Sequence, residues 1–333
     1  MLAIQLKDFG HADQLYLDEY PTPEPSAYEV LIKVHATALN RADILQREGK
    51  YPPPEGASPL LGLEVAGEVE ALGEKVTRWK IGDKVFGLLP GGGYAEYAVM
   101  HEDMAMPVPL GWDYTKAAAV PEVFLTAFQA LSWVGKLQAG ETVLLHAGAS
   151  GVGTAAIQVA RSMGATVLVT ASSGKHALCH ELGAMHTIDY RKGPFLDEVQ
   201  HLTDGQGVDL IVDPVGGDYF GQNIQALRRD GRLVMLAVMG GGTVSEVPIG
   251  PIVFKRLQIM GSTLRSRTRD YQVALTRDFV DFAYDKLTQG ELRPVVDTVF
   301  NWQDAAEAHR YLEANLSAGK VVLRIGEKPE EIL

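Results

Sequence analysis

The stretch of this chain that most constrains its fold is residues 141–163, ETVLLHAGASGVGTAAIQVARSM. It holds a short apolar run of β-forming side chains, then a turn with three glycines, then apolar residues that recur at helical spacing. A strand, a glycine turn and a helix in this order are typical of a dinucleotide site, where backbone amides at the start of the helix approach a pyrophosphate. The predicted pyrophosphate-binding residues are Gly148, Ser150, Gly151, Val152 and Gly153.

Two similar glycine motifs fit less well. Gly148 and Gly153 have the spacing of a P-loop, but Thr154 occupies the position of the lysine that such a loop requires. Ser150 resembles the nucleophile of a hydrolase elbow, yet Val152 stands where the second glycine of that motif belongs. The sequence therefore gives little support to an NTPase or to a hydrolase.

Strand-like apolar runs alternate with helix-length segments through the middle of the chain. Six strands joined in this way predict a doubly wound α/β Rossmann fold, with a cofactor across the carboxyl ends of the parallel strands. The predicted strands are 142–145, 166–170, 186–190, 208–212, 232–237 and 257–261, and the helical segments include 174–182 and 217–228.

The segments on either side of this region have a different pattern. The first part of the chain is rich in Pro and Gly and contains β-like runs, and the last part has two helical patterns before a closing strand. Because 333 residues exceed the usual size of a single core, we expect two domains, with the tail returning to the first. They are a mostly β domain at 1–121 and 265–333, with β-like runs at 29–36, 64–71, 84–89 and 95–99, helices at 271–287 and 305–314 and a strand at 320–325, and a Rossmann domain at 122–264.

Composition narrows the partners and the location. The net charge of −12 disfavours non-specific binding to nucleic acid. No apolar run approaches the roughly 18 residues of a membrane span, and Lys7 and Asp8 interrupt the start before a signal-like core. We therefore expect a cytoplasmic protein. The single cysteine, Cys179, permits no intrachain disulfide and no cysteine-based zinc cluster, and is expected to be a small buried residue.

Five phrases of the sequence resemble one known family: ALNRAD (38–43), YPPPEGAS (51–58), LLPGGG (88–93), HAGASGVGTAAIQ (146–158) and STLRSR (262–267). With the features above, they make the chain similar to the medium-chain dehydrogenase/reductase superfamily. Within it, the chain looks most like the zinc-free NADPH:quinone oxidoreductases of the zeta-crystallin branch, closest to the tumour-suppressor-inducible type. The resemblance implies a GroES-like catalytic domain around a central Rossmann domain, and a homodimer joined at the edge of the Rossmann sheet.

This chain lacks two of the residues that bind a catalytic zinc in other members of the superfamily. Zinc-dependent members place a cysteine near the position of Asn40 and a histidine within Gly-His-Glu, which here is Gly62-Leu63-Glu64. Asn and Leu cannot replace a thiolate and an imidazole, so we expect a metal-free site. The nine histidines are expected to be structural or solvent-facing, and His146, beside the glycine turn, to be a satisfied histidine at a strand end.

The segment after the second predicted strand bears on the choice of cofactor. An NAD site usually places Asp or Glu there to bind the ribose 2′-hydroxyl, but residues 170–175, TASSGK, contain no acid. Ser173 and Lys175 suit the 2′-phosphate of NADPH, and the resemblance implies that Tyr190 joins them. The alternative is that Ser173 caps the next helix and Lys175 is a solvated residue of its first turn.

The catalytic and nicotinamide-binding residues follow from the resemblance. It implies that Asn40, Asp43, Gln46 and Tyr51, with Arg41, face the cofactor. Tyr51 then stacks on the substrate or acts as a weak acid, and a quinone lies over the nicotinamide between the domains. The alternatives are that Tyr51 packs on the prolines beside it, that Asp43 caps a helix and that Arg265 belongs to a solvated basic loop with Arg267. The segments implied to flank the nicotinamide contribute Thr126, Met239, Gly240, Gly241, Gly242, Leu264 and Arg265.

These features predict an NADPH-dependent quinone reductase, which works by electron or by hydride transfer from the nicotinamide. Hydride delivery to a quinone gives an aromatic hydroquinone anion. Quinone reduction therefore needs less catalytic help than alcohol oxidation, in which a metal would be needed to polarise the alkoxide. A zinc-free enoyl or alkenal reductase on the same fold remains an alternative, because fold alone does not determine the substrate. A non-enzymatic NADPH-binding protein is the third possibility.

Overall fold

The computed structural model describes Met1–Gly326, and residues 327–333 of the predicted mostly β domain lie outside the described residues. The strands are β1 Leu2–Leu6, β2 Leu15–Glu19, β3 Glu29–Ala38, β4 Glu64–Leu72, β5 Lys84–Leu88, β6 Tyr97–His101, β7 Ala105–Pro107, β8 Thr142–Leu145, β9 Thr166–Thr170, β10 His186–Ile188, β11 Val208–Asp213, β12 Leu227–Met235, β13 Gln258–Gly261, β14 Val296–Asn301 and β15 Lys320–Arg324. The α-helices are α1 Arg41–Arg47, α2 Tyr114–Ala118, α3 Pro121–Phe128, α4 Gly151–Ser162, α5 His176–Leu182, α6 Phe195–Leu202, α7 Tyr219–Ala226, α8 Gly250–Phe254, α9 Arg269–Gln289 and α10 Ala305–Glu313.

The chain forms two compact units, one of which is Thr126–Leu264. This unit is built on a six-stranded sheet in the order β10-β9-β8-β11-β12-β13, in which every neighbouring pair is parallel. All six residues of β11 are buried, as expected for a central strand covered on both faces. The chain order reverses between β8 and β11, where doubly wound sheets bind their ligands. The predicted Rossmann fold is therefore confirmed.

Four strands of this sheet have bounds that differ from the prediction: β11 ends one residue later and β13 begins one residue later, whereas β10 and β12 differ more. β10 ends at Ile188, so Tyr190 lies in the loop that follows. β12 begins at Leu227, well before the predicted start at 232, because Leu227 pairs with Val208 across an irregularity in the register. The polar residues that follow Leu227 resemble a loop in the sequence, and only the pairing with β11 extends the strand.

The other unit comprises Met1–Leu125 and the chain from Arg265 onward. Its main sheet is mostly antiparallel, with the order β14-β15-β3-β4-β5-β7 and with β6 also paired to β3. β15 lies against β3, so the predicted return of the closing strand to the first part of the chain is confirmed. β3 leads directly into α1, and the partner of Thr37 in β4 is Val65. The last residues of β3 and the first residues of β4 therefore lie side by side, at the same end of these two interior strands.

One buried helical run has the length of a membrane span. Tyr114–Val134 contains α2, α3 and a π-helix and is, by length and composition alone, apolar enough to cross a membrane. The prediction that no apolar run approaches this length is therefore wrong. In the structure, 72% of the most apolar window of this run is buried inside the protein, as in the core helix of a globular fold.

The only cysteine has the environment that the sequence predicts. Cys179 is buried in α5, and it is a free thiol. Burial raises the pKa of this thiol to about 11, so the reactive thiolate is disfavoured at neutral pH.

Candidate active site

The glycine turn joins β8 to α4 and is packed tightly against the sheet. Gly148 donates its backbone N–H to Thr170 O at 2.9 Å, and Ala147 adopts a left-handed φ of 54°. A Cβ on Gly148 would lie 2.7 Å from the Val169 Cβ, and a Cβ on Gly153 would meet the Ala147 carbonyl oxygen. Gly148 and Gly153 are therefore required by the packing of the turn itself.

The first turn of α4 leaves amide groups for a ligand. Ser150 is the N-cap, and its Oγ accepts the Gly153 N–H at 3.0 Å. Gly151 and Val152 are the first two residues of the helix, where backbone N–H groups have no acceptor within the helix and the helix dipole favours negative charge. This geometry suits a pyrophosphate at Gly151 and Val152, with Ser150 and Gly153 shaping the turn.

The loops after β9 and β10 lie side by side, because these parallel strands are neighbours in the sheet. Ser173 is exposed, and the side chain of Tyr190 is partly exposed. Ser173 does not cap a helix: the N-cap of α5 is Lys175, and the N-cap of the short 3-10 turn before it is Ser172. The guanidinium of Arg191 lies 5.8 Å from the centre of the Tyr190 ring and adds a positive charge that the sequence analysis missed.

The loop after β12 is held against the loop after β11. Gly240 donates its N–H to Val215 O at 2.7 Å, and a Cβ on Gly217 would meet the Gly240 carbonyl oxygen. Residues 239–242 therefore lie at the carboxyl ends of the parallel strands, where the resemblance places the nicotinamide. Thr126 is half-buried, whereas the side chain of Leu264 is buried.

A buried chain of hydrogen bonds fixes the ends of β8, β9 and β11. Asn223 Nδ2 donates to Asp213 Oδ2 at 2.8 Å, which turns Asn223 Oδ1 toward His146 Nε2 at 2.7 Å. Nε2 therefore carries the proton, and Nδ1 accepts from the Thr170 hydroxyl at 3.0 Å. Burial lowers the pKa of His146, in keeping with a neutral ring. His146 is the satisfied histidine that the sequence predicts.

In the other unit, the ends of β3, β4 and β15 enclose a buried lysine. Lys320 Nζ donates hydrogen bonds of 2.7 Å to Leu39 O, Asn40 Oδ1 and Glu64 Oε1. Asn40 Nδ2 donates to Glu64 Oε1 at 2.9 Å, and Glu64 Oε2 accepts the backbone N–H of Glu122 at 2.8 Å. The side chains of Lys320 and Glu64 are 3% and 0% exposed. The side-chain amide of Asn40 is thus hydrogen-bonded within the protein, which supports a positioning role for this residue.

Asp43, in the first turn of α1, is also satisfied internally. Its Oδ2 accepts the Asn40 N–H at 2.7 Å, and its Oδ1 accepts the Gly62 N–H at 3.0 Å. The first of these contacts caps the helix, so the alternative interpretation of Asp43 as a capping residue is confirmed. Burial raises the pKa of Asp43 to about 6, although both N–H groups and Lys320 favour the ionised carboxylate.

Glu122, near the start of α3, is an acid that the sequence analysis missed. Its side chain is half-buried, and Glu64, Lys320, Asp43 and Arg265 are near enough to act on its charge. Burial and then the repulsion of Glu64 raise the pKa of Glu122 to about 8. The carboxyl group is therefore mostly protonated at neutral pH, which is the state of a general acid.

Gln46 and Arg265 keep buried polar atoms without a partner in the protein, and Tyr51 lies beside Arg265. The guanidinium carbon of Arg265 lies 5.4 Å from the centre of the Tyr51 ring. Arg265 Nε donates to Pro90 O at 2.8 Å, but Nη1 and Nη2 are buried without a hydrogen-bond partner. The alternative that Arg265 lies in a solvated loop is wrong, since this residue is 6% exposed. Gln46 Nε2 donates to Pro59 O at 2.9 Å, whereas its buried Oε1 has no partner.

The residues at the position of the implied zinc site do not fit zinc. Oxygens of Asn40 and Glu64 are bonded to the Lys320 ammonium, and Leu63 is a buried apolar side chain. Zinc sites are built from thiolate, imidazole and carboxylate ligands, and a bound ammonium repels a second cation. Across residues 1–326, His, Cys, Asp and Glu side chains nowhere form a group of three or more that could hold a metal ion.

The sequence analysis overlooked Lys320 and Glu122, and one signal was available for Lys320. This lysine opens the strand KVVLR, in which the first four residues are buried. A charged side chain in a buried strand needs a partner of opposite charge, so its position alone indicates a buried ion pair. Nothing local points to Glu64 as that partner, because the two residues are 256 positions apart.

Comparisons with known proteins agree with this architecture. Family models match residues 26–110 as an alcohol dehydrogenase GroES-like domain and residues 151–278 as a zinc-binding dehydrogenase. The quinone oxidoreductase of Pseudomonas aeruginosa is 35% identical over 323 residues, which are 96% of this chain and 98% of that protein. The solved structure of CurK enoyl reductase matches with a TM-score of 0.87 and 30% identity, covering 98% of this chain and 99% of that one.

A further relative is much longer than this chain. A phenolphthiocerol/phthiocerol polyketide synthase protein of Mycobacterium tuberculosis is 30% identical over 97% of this chain, but the match spans only 15% of that protein. The same conclusion follows from the two matched family models, from the near full-length relative and from the six-stranded and seven-stranded sheets. The chain belongs to the medium-chain dehydrogenase/reductase superfamily, whose members are oxidoreductases that bind a nicotinamide cofactor.

Proposed function

We propose that this chain is an NADPH-dependent quinone reductase that works without a metal. The observation that carries the proposal is the Lys320 ammonium bonded to Asn40 and Glu64, at the position where the resemblance places zinc in other members. Without a Lewis acid an alcohol is poorly oxidised, whereas a quinone accepts hydride to give an aromatic anion. The similarity to the quinone oxidoreductase of Pseudomonas aeruginosa supports this substrate class.

The groups at the carboxyl ends of the Rossmann strands suit NADPH, which would supply the hydride. The free amides of Gly151 and Val152 would hold the pyrophosphate. Ser173, Lys175 and Tyr190 would hold the 2′-phosphate, and the absence of an acid in residues 170–175 removes the usual ligand of an unphosphorylated ribose.

Lys175→Ala tests this choice of cofactor. Loss of one charge-assisted contact costs about 1.5 to 3 kcal/mol, so we expect NADPH affinity to fall about tenfold to a hundredfold while NADH affinity hardly changes. Fluorescence titration with each cofactor measures both values. Lys136→Ala is the matched control, because exposed Lys136 precedes β8 and thus lies at the opposite end of the strand from the glycine turn. Equal losses for NADPH and NADH would show that Lys175 does not contact the phosphate.

A second candidate, enoyl reduction, is favoured by two observations. The CurK enoyl reductase has a similar structure, and the protonated Glu122 is a proton source of the kind that enone reduction needs. Steady-state kcat/KM values for a panel of quinones and enones, each with NADPH and NADH, decide between the two. We expect the quinones with NADPH to give the highest values. Enones turned over ten times more efficiently would replace the proposal, and tight NADPH binding without turnover would indicate a non-enzymatic protein.

The oligomeric state and the location are part of the same proposal. β13 is an edge strand of the Rossmann sheet, and the preceding α8 exposes Val253 and Phe254 at 70% and 78%. Exposed apolar side chains beside an open strand support a homodimer joined at this edge. The burial of the Tyr114–Val134 run inside the protein supports a cytoplasmic location.

A further inference from the structure

Both Nη atoms of the Arg265 guanidinium are buried without a hydrogen-bond partner, and no other charged side chain of residues 1–326 has a buried atom in this state. Its Nε is fixed by Pro90 O, so the plane of the guanidinium is set while both Nη atoms keep all their N–H groups. Buried donors without acceptors are costly and rare, so these N–H groups call for an acceptor atom. Arg265 is therefore preorganised to receive an oxygen atom.

The surroundings of Arg265 suit a flat, conjugated ligand. The Tyr51 ring lies within cation–π distance of the guanidinium, 5.4 Å from centre to carbon. The backbone beside Nη2 requires glycine, because a Cβ on Gly91 would lie 2.6 Å from the Ser58 carbonyl oxygen and 3.4 Å from Nη2. An aromatic face next to a pair of N–H donors matches a ring that carries a carbonyl oxygen.

We propose that the Nη groups of Arg265 form an oxyanion site for the carbonyl oxygen of a neutral conjugated substrate, and that Glu122 donates the proton which this oxygen receives. The inference rests on the proposed reductase function, and it applies equally to quinones and to enones because both carry the same conjugated carbonyl group.

The charges around this site favour a substrate that is neutral when it binds. With Glu122 protonated, the positive charges of Lys320 and Arg265 balance the negative charges of Glu64 and Asp43. A substrate that becomes negative only during the reaction gains the attraction of Arg265 chiefly in the transition state. A substrate that already carried a carboxylate would add an unbalanced negative charge beside Glu64 and Asp43.

The proposed step balances in atoms and electrons. The conjugated system gains one hydrogen and two electrons as a hydride, which a bound reduced nicotinamide would supply, and the π electrons of the carbonyl group move onto its oxygen. Arg265 hydrogen-bonds that oxygen while Glu122 transfers its carboxyl proton to it. The product is a hydroquinone or an enol, the hydride donor would be left oxidised by two electrons, and water returns a proton to Glu122.

The first experiment measures binding to the cofactor-free protein. The probe is 4-nitrophenolate, whose absorbance reports its ionisation and whose oxygen resembles that of a hydroquinone anion. We expect Arg265→Gln to bind it at least tenfold more weakly than the unmodified protein, because a charge-assisted hydrogen bond is lost. Arg265→Lys keeps the charge but loses the planar arrangement of N–H donors. Its affinity for 4-nitrophenolate is expected to lie between those of the unmodified protein and Arg265→Gln. Arg267→Gln is the matched control, because Arg267 is exposed two residues further along the chain.

The second experiment measures kcat for the best substrate as a function of pH. The groups that face Glu122 are Glu64 on β4, Asp43 on α1, Lys320 on β15, Arg265 and Tyr51. Because the acid must be protonated, kcat is expected to fall as pH rises through about 8. Glu122→Gln is expected to lower kcat about a hundredfold below that pH and to remove the decline above it.

The outcomes separate this inference from the proposed function. Equal 4-nitrophenolate affinity in folded Arg265→Gln and Arg267→Gln variants would overturn the oxyanion site. An unchanged kcat and pH profile in Glu122→Gln would overturn the proton donor. If the unmodified protein reduces neither quinones nor enones, the proposed function fails, and the binding comparison still decides whether Arg265 forms an oxyanion site. Circular dichroism of each variant identifies any loss of folding, in which case Arg265→Lys provides the comparison.

Discussion

Lys320→Met is expected to lower the free energy of unfolding by about 3 to 5 kcal/mol, because it leaves a buried carboxylate without its positive partner. Glu64 is fully buried, and the variant would lose the three hydrogen bonds that Lys320 donates at the junction of β3, β4 and β15. Methionine has nearly the length of lysine, so the change removes the charge and the donors while leaving little cavity. Urea unfolding followed by circular dichroism measures the difference.

An exposed ion pair in the same unit provides the control. Arg78 Nη1 lies 2.6 Å from Asp103 Oδ1, and the Arg78 side chain is half exposed. Arg78→Met should therefore cost less than about 1 kcal/mol. A double variant, Lys320→Met with Glu64→Leu, should recover part of the loss, because no unpaired charge remains buried. A loss for Lys320→Met no larger than that for Arg78→Met would mean that the buried pair does not stabilise the fold.

Gly151→Val is expected to abolish binding of the nicotinamide cofactor in a protein that still folds. Gly151 begins α4, where its amide and that of Val152 are available to a pyrophosphate, and a branched side chain there would obstruct the approach of the phosphate. Gly148 and Gly153 are less suitable targets, because a Cβ on either would strike the protein itself. Isothermal titration with NADPH measures the loss.

The matched control places the same side chain where it would meet no other atom of the same chain. Gly261 lies in the edge strand β13, and a Cβ there would have no atom within 4 Å. Gly261→Val should leave NADPH affinity unchanged, since a β-branched residue suits a strand. Unchanged affinity in a folded Gly151→Val variant would remove the pyrophosphate from this turn.

Local patterns in the sequence determined the fold class and most of the elements. The run at 142–145 and the strand at 166–170 were predicted with the bounds that the structure has, because apolar strands and glycine turns are signals carried by adjacent residues. The parallel, doubly wound arrangement of these strands followed as well, since strands joined by helices have few permitted topologies. Where a strand depended on its neighbour, as β12 does on β11 at Leu227, the sequence was insufficient.

Only the tertiary structure decided which polar groups are free for a ligand. In the sequence, Asn40, Asp43, Gln46 and Arg265 are equivalent candidates. Folding satisfies the side chains of the first two and leaves buried, unpaired atoms on the other two. The reason is physical: periodicity reports which side of an element is buried, but a hydrogen bond between residues as distant as Glu64 and Lys320 leaves no periodic signal. The burial that raises the pKa of Glu122 likewise arises only when these segments meet.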